Sequence, residues 1–237
     1  MDGGDFDLEG LAEYLHLPVA DVARLVERGK IPGRRVGGDW RFARPEISLW
    51  LEQRINDSND AELEHIENAV EQSRNRSGEA LLAVSDLLTV ETIAIPLAAR
   101  TRNSVIASMV DLAAESGGLW DVPKMAEAVR SREELYPTAL DNGVALLHPR
   151  RTMPAILDRP LLALGLTSQG IPFARADGKL TDIFFLICSI SDRGHLHTLA
   201  RLSRLVNDAD FLAELRSAPD AAAALETITR REAQVLG

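Results

Sequence analysis

A single cysteine, Cys188, stands in a chain of 237 residues. One thiol cannot close an intramolecular disulfide, and a cysteine-based zinc site is excluded with it. Long apolar runs are also lacking. Nothing approaches the ~20 residues that a bilayer-spanning helix needs, so no transmembrane segment or membrane insertion is expected. The opening MDGGDFDLEG is acidic and has no basic flank ahead of an apolar core, which argues against a secretory signal and for a reducing, cytoplasmic setting. Aromatic residues make up only 5%, yet apolar residues reach 46%, enough for one large or two smaller globular domains. Positive charge is in deficit. Against 36 Asp and Glu stand 26 Lys and Arg, a net charge of −10 that argues against a chain coating nucleic acid indiscriminately.

Locally that deficit reverses. From Arg28 to Arg44 lie Arg28, Lys30, Arg34, Arg35, Arg41 and Arg44 against the lone acid Asp39. Such an island in an acidic chain points to one anion-binding face. Texture divides the chain into three. Residues 1–54 carry short helical periods. Residues 55–80 are polar and rich in Asn, Asp and Ser, with a connecting helix expected over 61–72 (Leu63, Ile66 and Val70 at helical spacing). Residues 81–237 are apolar-rich and read as one α/β domain.

In the first stretch, Leu8, Leu11, Ala12 and Leu15 share a helical face, with Asp7 placed to cap it. His16-Leu17-Pro18 breaks that helix. A second runs from Val19 to Arg28 and stops at Gly29, giving two helices about a tight turn. Ile31 to Phe42 alternates on both sides of Gly37-Gly38, which suits a β-hairpin, and a third helix is expected from Pro45 to Gln53. The segment LAEYLHLPVADVARLVERGKIPGRRVGGDWRFARPEISLWL resembles the excisionase/MerR-like winged helix-turn-helix family. The resemblance implies double-stranded DNA as a partner, with Arg24 and Arg28 facing the groove. It implies phosphate contacts for Arg34, Arg35 and Arg41, and Lys30 joins the same basic set. Arg clusters supply salt-dependent affinity with little sequence information. Because Asp21 and Glu27 share the second helix, base reading looks sparse, and useful affinity calls for a homodimer or tandem sites.

The last stretch alternates helices and strands. A helical segment is expected from Ser85, a short strand over 92–96, and helices over 102–116 and 122–134. Strands follow at 144–147, 161–165 and 182–190, and then a helix opening at His195. This pattern predicts an α/β sandwich with a mixed sheet. His148 and His195 each fall at the C-terminal edge of an apolar strand, where α/β folds bind ligands. Imidazole is a nucleophile near neutral pH, and a second imidazole nearby can donate to a phosphoryl group. A guanidinium clamps the dianion.

The run REELYPTALDNGVALLHPR resembles the signature of the enzyme IIA domain of the fructose, mannitol and nitrogen-regulatory branch of the sugar phosphotransferase system. GHLHTLARLSRLVNDADFLAELRSAPD resembles that family's second-histidine helix. The likeness implies that His148 is the phosphoacceptor, His195 its assistant and Arg132 a phosphate contact, with Arg150 following the histidine as arginine often does. It also implies a histidine phosphocarrier protein as partner. The sequence departs from the family pattern at Pro137, where Ser is usual, at Ala139 and Asp141, which replace glycines, and at Leu147, which replaces the proline before the histidine. Asp141 would bring an anion to a phosphate loop. No cofactor and no metal are expected: His195 and His197, two apart on a helix, face different ways. His16 and His65 read as surface residues, Cys188 as core, and Asp182 and Asp192 as turn or cap residues. The expected whole is a phosphotransferase-linked regulator whose His148 domain controls a DNA-binding module. Its alternatives are an interaction regulator that docks proteins through its N-terminal module, a phosphorylation-silent sensor and a sugar-transport component.

Overall fold

The computed structural model describes residues 5–15, 17–57, 82–173 and 179–236. The expected helix over 61–72, His16 and His65 therefore lie outside the described residues. The chain divides into two compact units, Met1–Ala80 and Leu81–Gly237.

In the first unit, Asp7 does cap α1 (Leu8–Leu15), its carboxylate accepting from the Gly10 N–H at 2.7 Å. Helix α2 (Val19–Glu27) starts directly after Pro18 and ends at Gly29, whose φ of 65° turns the chain. Strands β1 (Arg34–Val36) and β2 (Asp39–Arg41) form an antiparallel hairpin, with Arg35 opposite Trp40. Its turn residues, Gly37 and Gly38, both take positive φ, which explains the glycine pair. Phe6 and Phe42 exchange backbone hydrogen bonds at 2.8 and 2.9 Å and fasten the N-terminal segment to the strand end. Helix α3 (Arg44–Asp57) runs past Gln53 and through the first residues of the expected connector. Leu11, Val22, Val26, Ile31, Phe42 and Ile47 are buried and form the unit's core.

The second unit is built on a four-stranded sheet in the order β3-β5-β6-β4, comprising β3 (Ile93–Ala94), β4 (Val144–Leu147), β5 (Leu161–Pro172) and β6 (Leu180–Cys188). Strand β3 lies parallel to β5, β5 antiparallel to β6, and β4 parallel to β6, so the sheet is mixed. Strand β5 extends well past Gly165 because it pairs as a long hairpin with β6, interrupted by an irregularity between Leu166 and Ile171. At the start of the unit, the expected helix from Ser85 is two short 3₁₀ turns, Ser85–Leu87 and Val90–Thr92. The buried Glu232 accepts from the Val84 and Ser85 N–H groups at 2.6 and 2.9 Å, as a side chain capping the first N–H groups of a helical turn does, and the turn ends at Leu88, where the backbone is extended.

Helices α4 (Arg102–Ala114) and α5 (Val122–Leu135) share one core with Ala145, Leu147, Ala163, Phe184 and Leu186. The alternate residues Val144, Leu146, Ile183, Phe185 and Ile187 are equally buried. Helix α6 (Asp192–Val206) packs on β6, and α7 (Ala209–Arg216) and α8 (Ala221–Leu236) pack in turn around it. Burial on both faces is why the strands read as continuous apolar runs.

Candidate functional site

His148 is the first residue beyond β4, and all four residues of that strand are buried. Because β4 runs parallel to β6, with Leu147 opposite Leu186, both strands end on the same side of the sheet. From the end of β6 the chain turns through Ser189 into α6. The two loops are stitched together: the Met153 N–H donates to the Ser189 carbonyl at 3.3 Å, and the Thr152 hydroxyl to Asp192 at 3.0 Å. The imidazoles of His148 and His195 meet with ring centroids 5.0 Å apart and planes tilted by 55°.

His195 does not open the helix. Helix α6 begins at Asp192, capped by the Ser191 hydroxyl, which accepts from the Gly194 N–H at 3.1 Å. The His195 N–H is already committed to the Ser191 carbonyl at 3.0 Å. His195 thus offers its ring and not a helix N-terminus, because the Ser-x-x-Gly turn moves the start three residues upstream.

The proton positions follow from the partners. His148 Nδ1 lies 2.7 Å from the Leu146 carbonyl oxygen. A carbonyl only accepts, so Nδ1 carries a hydrogen, and in the neutral ring the lone pair then sits on Nε2. His195 Nδ1 lies 3.5 Å from the Ser189 hydroxyl, a side chain that no sequence pattern connects with this histidine.

Arg132 is buried near the end of α5, where one Nη donates to the Tyr136 carbonyl at 2.6 Å. Beyond it the chain doubles back along β4. Ala139 bridges Ala145 in antiparallel fashion, and the Leu146 N–H donates to the Thr138 carbonyl at 3.3 Å. Glu133, also buried, accepts from the Thr138 N–H at 3.1 Å and from its hydroxyl, and it pairs with Arg102 at 3.3 Å. Burial pushes the Glu133 carboxyl above its ordinary range, opposed by the bonds from Thr138 and the charge of Arg102. Arg150, two residues past His148, is exposed.

At the other end of β4, Asn142 donates to the Val206 carbonyl at the end of α6 (2.8 Å). Arg216 grips Asp182 through two bonds of 2.7 and 2.9 Å and donates to the Asn142 carbonyl at 2.8 Å. The bonds to Asp182 raise the Arg216 pKa. Asp182 is thus a strand residue in an ion pair, not a turn residue, and Ser191 rather than Asp192 caps α6. Asp141 also belongs to this end and pairs with Lys179 at 2.7 Å. It stands a strand's length from His148, about 13 Å at ~3.3 Å per residue, so the anion expected beside the phosphate loop is elsewhere. His197 and Cys188 are buried, and burial raises the Cys188 thiol to about 12.

Of the basic residues in the first unit, Arg24 pairs with Asp21 one turn before it on α2, and Arg34 with Asp5 at 2.7 Å. Arg35 lies over the Trp40 ring at 5.0 Å, and Arg41 donates to the Trp40 carbonyl at 3.5 Å. Arg28 and Lys30 are exposed just beyond α2.

A mixed sheet between helical layers, with a histidine pair at one strand edge and a separate helix-turn-helix unit, defines a two-module chain. Residues 86–231 match the family described as phosphoenolpyruvate-dependent sugar phosphotransferase system, EIIA 2, and the chain belongs to that family. Residues 6–55 match a helix-turn-helix domain. The fructose-specific EIIABC component of Bacillus subtilis is 26% identical over 153 residues, which is 64% of this chain but only 24% of that protein. A nitrogen regulatory protein of Pseudomonas aeruginosa is 24% identical over 150 residues, covering 62% of this chain and 96% of that one. The solved structure of nitrogen regulatory protein IIA-Ntr from Neisseria meningitidis shares the fold, with a TM-score of 0.55 at 18% identity over 61% of this chain and 98% of that one. Among the described residues, no helix is long and apolar enough to cross a membrane.

Proposed function

We propose that this chain is a phosphotransferase-linked regulator. Residues 81–237 form the phosphoacceptor domain, residues 1–54 a DNA-binding module, and residues 55–80 the connector. The observation that carries the reading is the approach of the His148 and His195 rings, 5.0 Å apart, one just past the end of β4 and the other in the first turns of the helix that follows the parallel strand β6. The His148 Nε2 lone pair attacks phosphorus of a phosphohistidine on a phosphocarrier protein. The new N–P bond forms as the donor's N–P bond breaks, and the donor leaves as neutral imidazole. Nδ1–H stays on the Leu146 carbonyl throughout, which steadies the cationic phosphorylated ring. With the Ser189 hydroxyl donating to Nδ1 of His195, that ring's Nε2–H becomes the donor to a phosphoryl oxygen. The resemblance supplies Arg132 and Arg150 as the guanidinium groups that meet the dianion.

On the DNA side, α2 would enter the major groove and the β1–β2 hairpin would serve as the wing. Arg28, Lys30 and Arg35 would meet phosphate, and Arg24, Arg34 and Arg41 would join them by exchanging protein partners. Exposed ion pairs such as Arg24–Asp21 are worth under about 1 kcal/mol, so DNA phosphate can displace them. Incubation with a phosphorylated histidine phosphocarrier, followed by phosphohistidine mapping, tests the reading. Label is expected on His148 in the wild type and none in His148→Ala. Absence of label under conditions that load a known enzyme IIA overturns phosphoacceptance. A DNA affinity with little salt dependence overturns the nucleic-acid role and leaves the module as a protein-docking unit.

A further inference from the structure

His148 owes its tautomer to a carbonyl, and that carbonyl is itself held in place. Starting from the ring, Nδ1–H donates to Leu146 C=O at 2.7 Å, and Leu146 N–H donates to Thr138 C=O at 3.3 Å. Thr138 in turn gives both its N–H and its hydroxyl to the Glu133 carboxylate. Arg102, at the start of α4, bonds both the carboxylate and the backbone carbonyl of Glu133. The doubled-back segment has a single antiparallel bridge, Ala139 to Ala145, beside β4. The Leu140 N–H also donates to the Val144 carbonyl at 2.7 Å. In a regular antiparallel ladder the Thr138 N–H would return the Leu146 bond by donating to the Leu146 carbonyl, but Glu133 takes that N–H and leaves the carbonyl to the His148 ring. Bonds to a carboxylate are stronger than those between neutral groups, and buried Glu133 accepts three: from the Thr138 N–H, from the Thr138 hydroxyl and from Arg102.

We propose that Glu133 is a positioning residue for His148, acting through Thr138 and Leu146 to keep the imidazole proton on Nδ1 and the lone pair on Nε2. The inference rests on the reading of His148 as phosphoacceptor for its consequence in transfer, but not for the tautomer itself. Glu133→Gln keeps the shape of the side chain. It replaces one acceptor by an NH₂ group facing Arg102 and the Thr138 N–H, which are both donors.

The full chain, labelled with ¹⁵N-histidine, reports the protonation of each ring nitrogen by NMR, with His148→Ala assigning the signals. In the wild type, His148 Nδ1 is expected to be protonated and Nε2 bare. In Glu133→Gln the two forms are expected to mix, and phosphoryl transfer from the phosphocarrier falls by about 10-fold, as when the hydrogen-bonded supports behind a functional ring are removed. Thr138→Val, which removes one of the bonds, gives a smaller shift in the same direction, and Thr138→Ser restores the wild-type spectrum. A wild-type tautomer in folded Glu133→Gln overturns the proposal. Should that variant fail to fold, an unshifted Thr138→Val does so instead. If the tautomer shifts as expected while the wild type takes no phosphoryl group, the positioning role stands and the phosphoacceptor reading falls.

Discussion

Gly143 offers a quantitative test of how the far end of β4 is anchored. Its φ is +88°, and a Cβ there would stand 2.8 Å from Arg216 Nη2 and 2.9 Å from Asp182 Oδ1. Alanine thus carries two costs. The left-handed backbone costs a Cβ-bearing residue roughly 1–2 kcal/mol. The clash falls on side-chain ends, so the backbone does not move, and the Arg216–Asp182 pair and the Arg216 bond to the Asn142 carbonyl give way. Half-exposed, those interactions are worth about 1–2 kcal/mol together. Gly143→Ala should therefore lose about 2–4 kcal/mol. Gly117 is the control, because its φ is +68° and its Cβ would meet nothing within 4 Å. Gly117→Ala should lose only the backbone part, about 1–2 kcal/mol. Native-state hydrogen exchange at the Ala145, Leu146, Phe184 and Phe185 amides reads the opening energy of this unit alone, undisturbed by the first unit. Equal losses in the two variants would show that the arginine clamp contributes nothing, and the reasoning would be wrong.

Other outcomes follow from named groups. The Cys188 thiol, raised to about 12 by burial, should resist thiol reagents at pH 8 in the native protein and react only as the unit unfolds; native-state labelling at the rate of the unfolded chain would contradict this. Asp208 caps α7, and the Phe211 N–H, bonded at 3.1 Å, is the leading cause of its depressed pKa. An acid whose folded pKa is lowered gives stability that is present above its ordinary pKa and lost as pH falls through the depressed one. Asp208→Ala, which removes the cap and the ion pair with Arg231, should thus cost about 1–2 kcal/mol at neutral pH, and the difference should close in acid denaturation series well below the ordinary carboxylate range; a cost independent of pH would refute the role of the ionised carboxylate. In the DNA module, Asp21→Asn releases Arg24 and should strengthen DNA binding, whereas Lys30→Ala should reduce the salt slope by about 0.9, the share of one neutralised phosphate. An unchanged slope for Lys30→Ala in salt titrations would remove the residue from the interface, and unchanged affinity for Asp21→Asn would do the same for Arg24.

The sequence is most legible where a local rule decides. Asp7 caps α1, the Gly37-Gly38 turn makes a hairpin, and Val144–Leu147 is a strand with the expected ends, because capping, positive φ and burial on both faces leave marks within a few residues. The second half of β5 leaves no such mark, since it pairs with β6 at a partly exposed position, where alternation gives no continuous apolar run. The helix expected from Ser85 ends after one turn at Leu88, whose backbone is extended, and the N–H groups at its start are met by Glu232, nearly 150 residues away, a contact that no local pattern shows. The same limit applies at the site. His148 is visible at a strand end and His195 a few residues beyond another, but that those ends adjoin is a fact of strand order, β6 beside β4. Glu133 lies in plain view next to Arg132, yet its bond to Thr138 exists only because the chain doubles back along β4. Ser189 belongs to no pattern at all.

The four departures from the family pattern can be weighed against this geometry. Proline at 137 removes an N–H, but the donor that Glu133 uses belongs to Thr138, so every bond of that relay remains. Ala139 sits in an antiparallel bridge, an extended conformation open to any residue, so glycine is not required there. Asp141 is tied to Lys179 on the surface, at the end of β4 away from the rings. Leu147 is fully buried in the core shared with α4 and α5, where its side chain fills volume and its backbone pairs with β6. None of the four interrupts the path from Glu133 to the His148 ring or the approach of His195. Substituting the family residues at all four positions should therefore leave the ¹⁵N tautomer pattern of His148 as it is in the wild type. A changed pattern in that fourfold variant would mean that one of these positions governs the ring after all, with Leu147, its immediate neighbour in the chain, the first to restore singly.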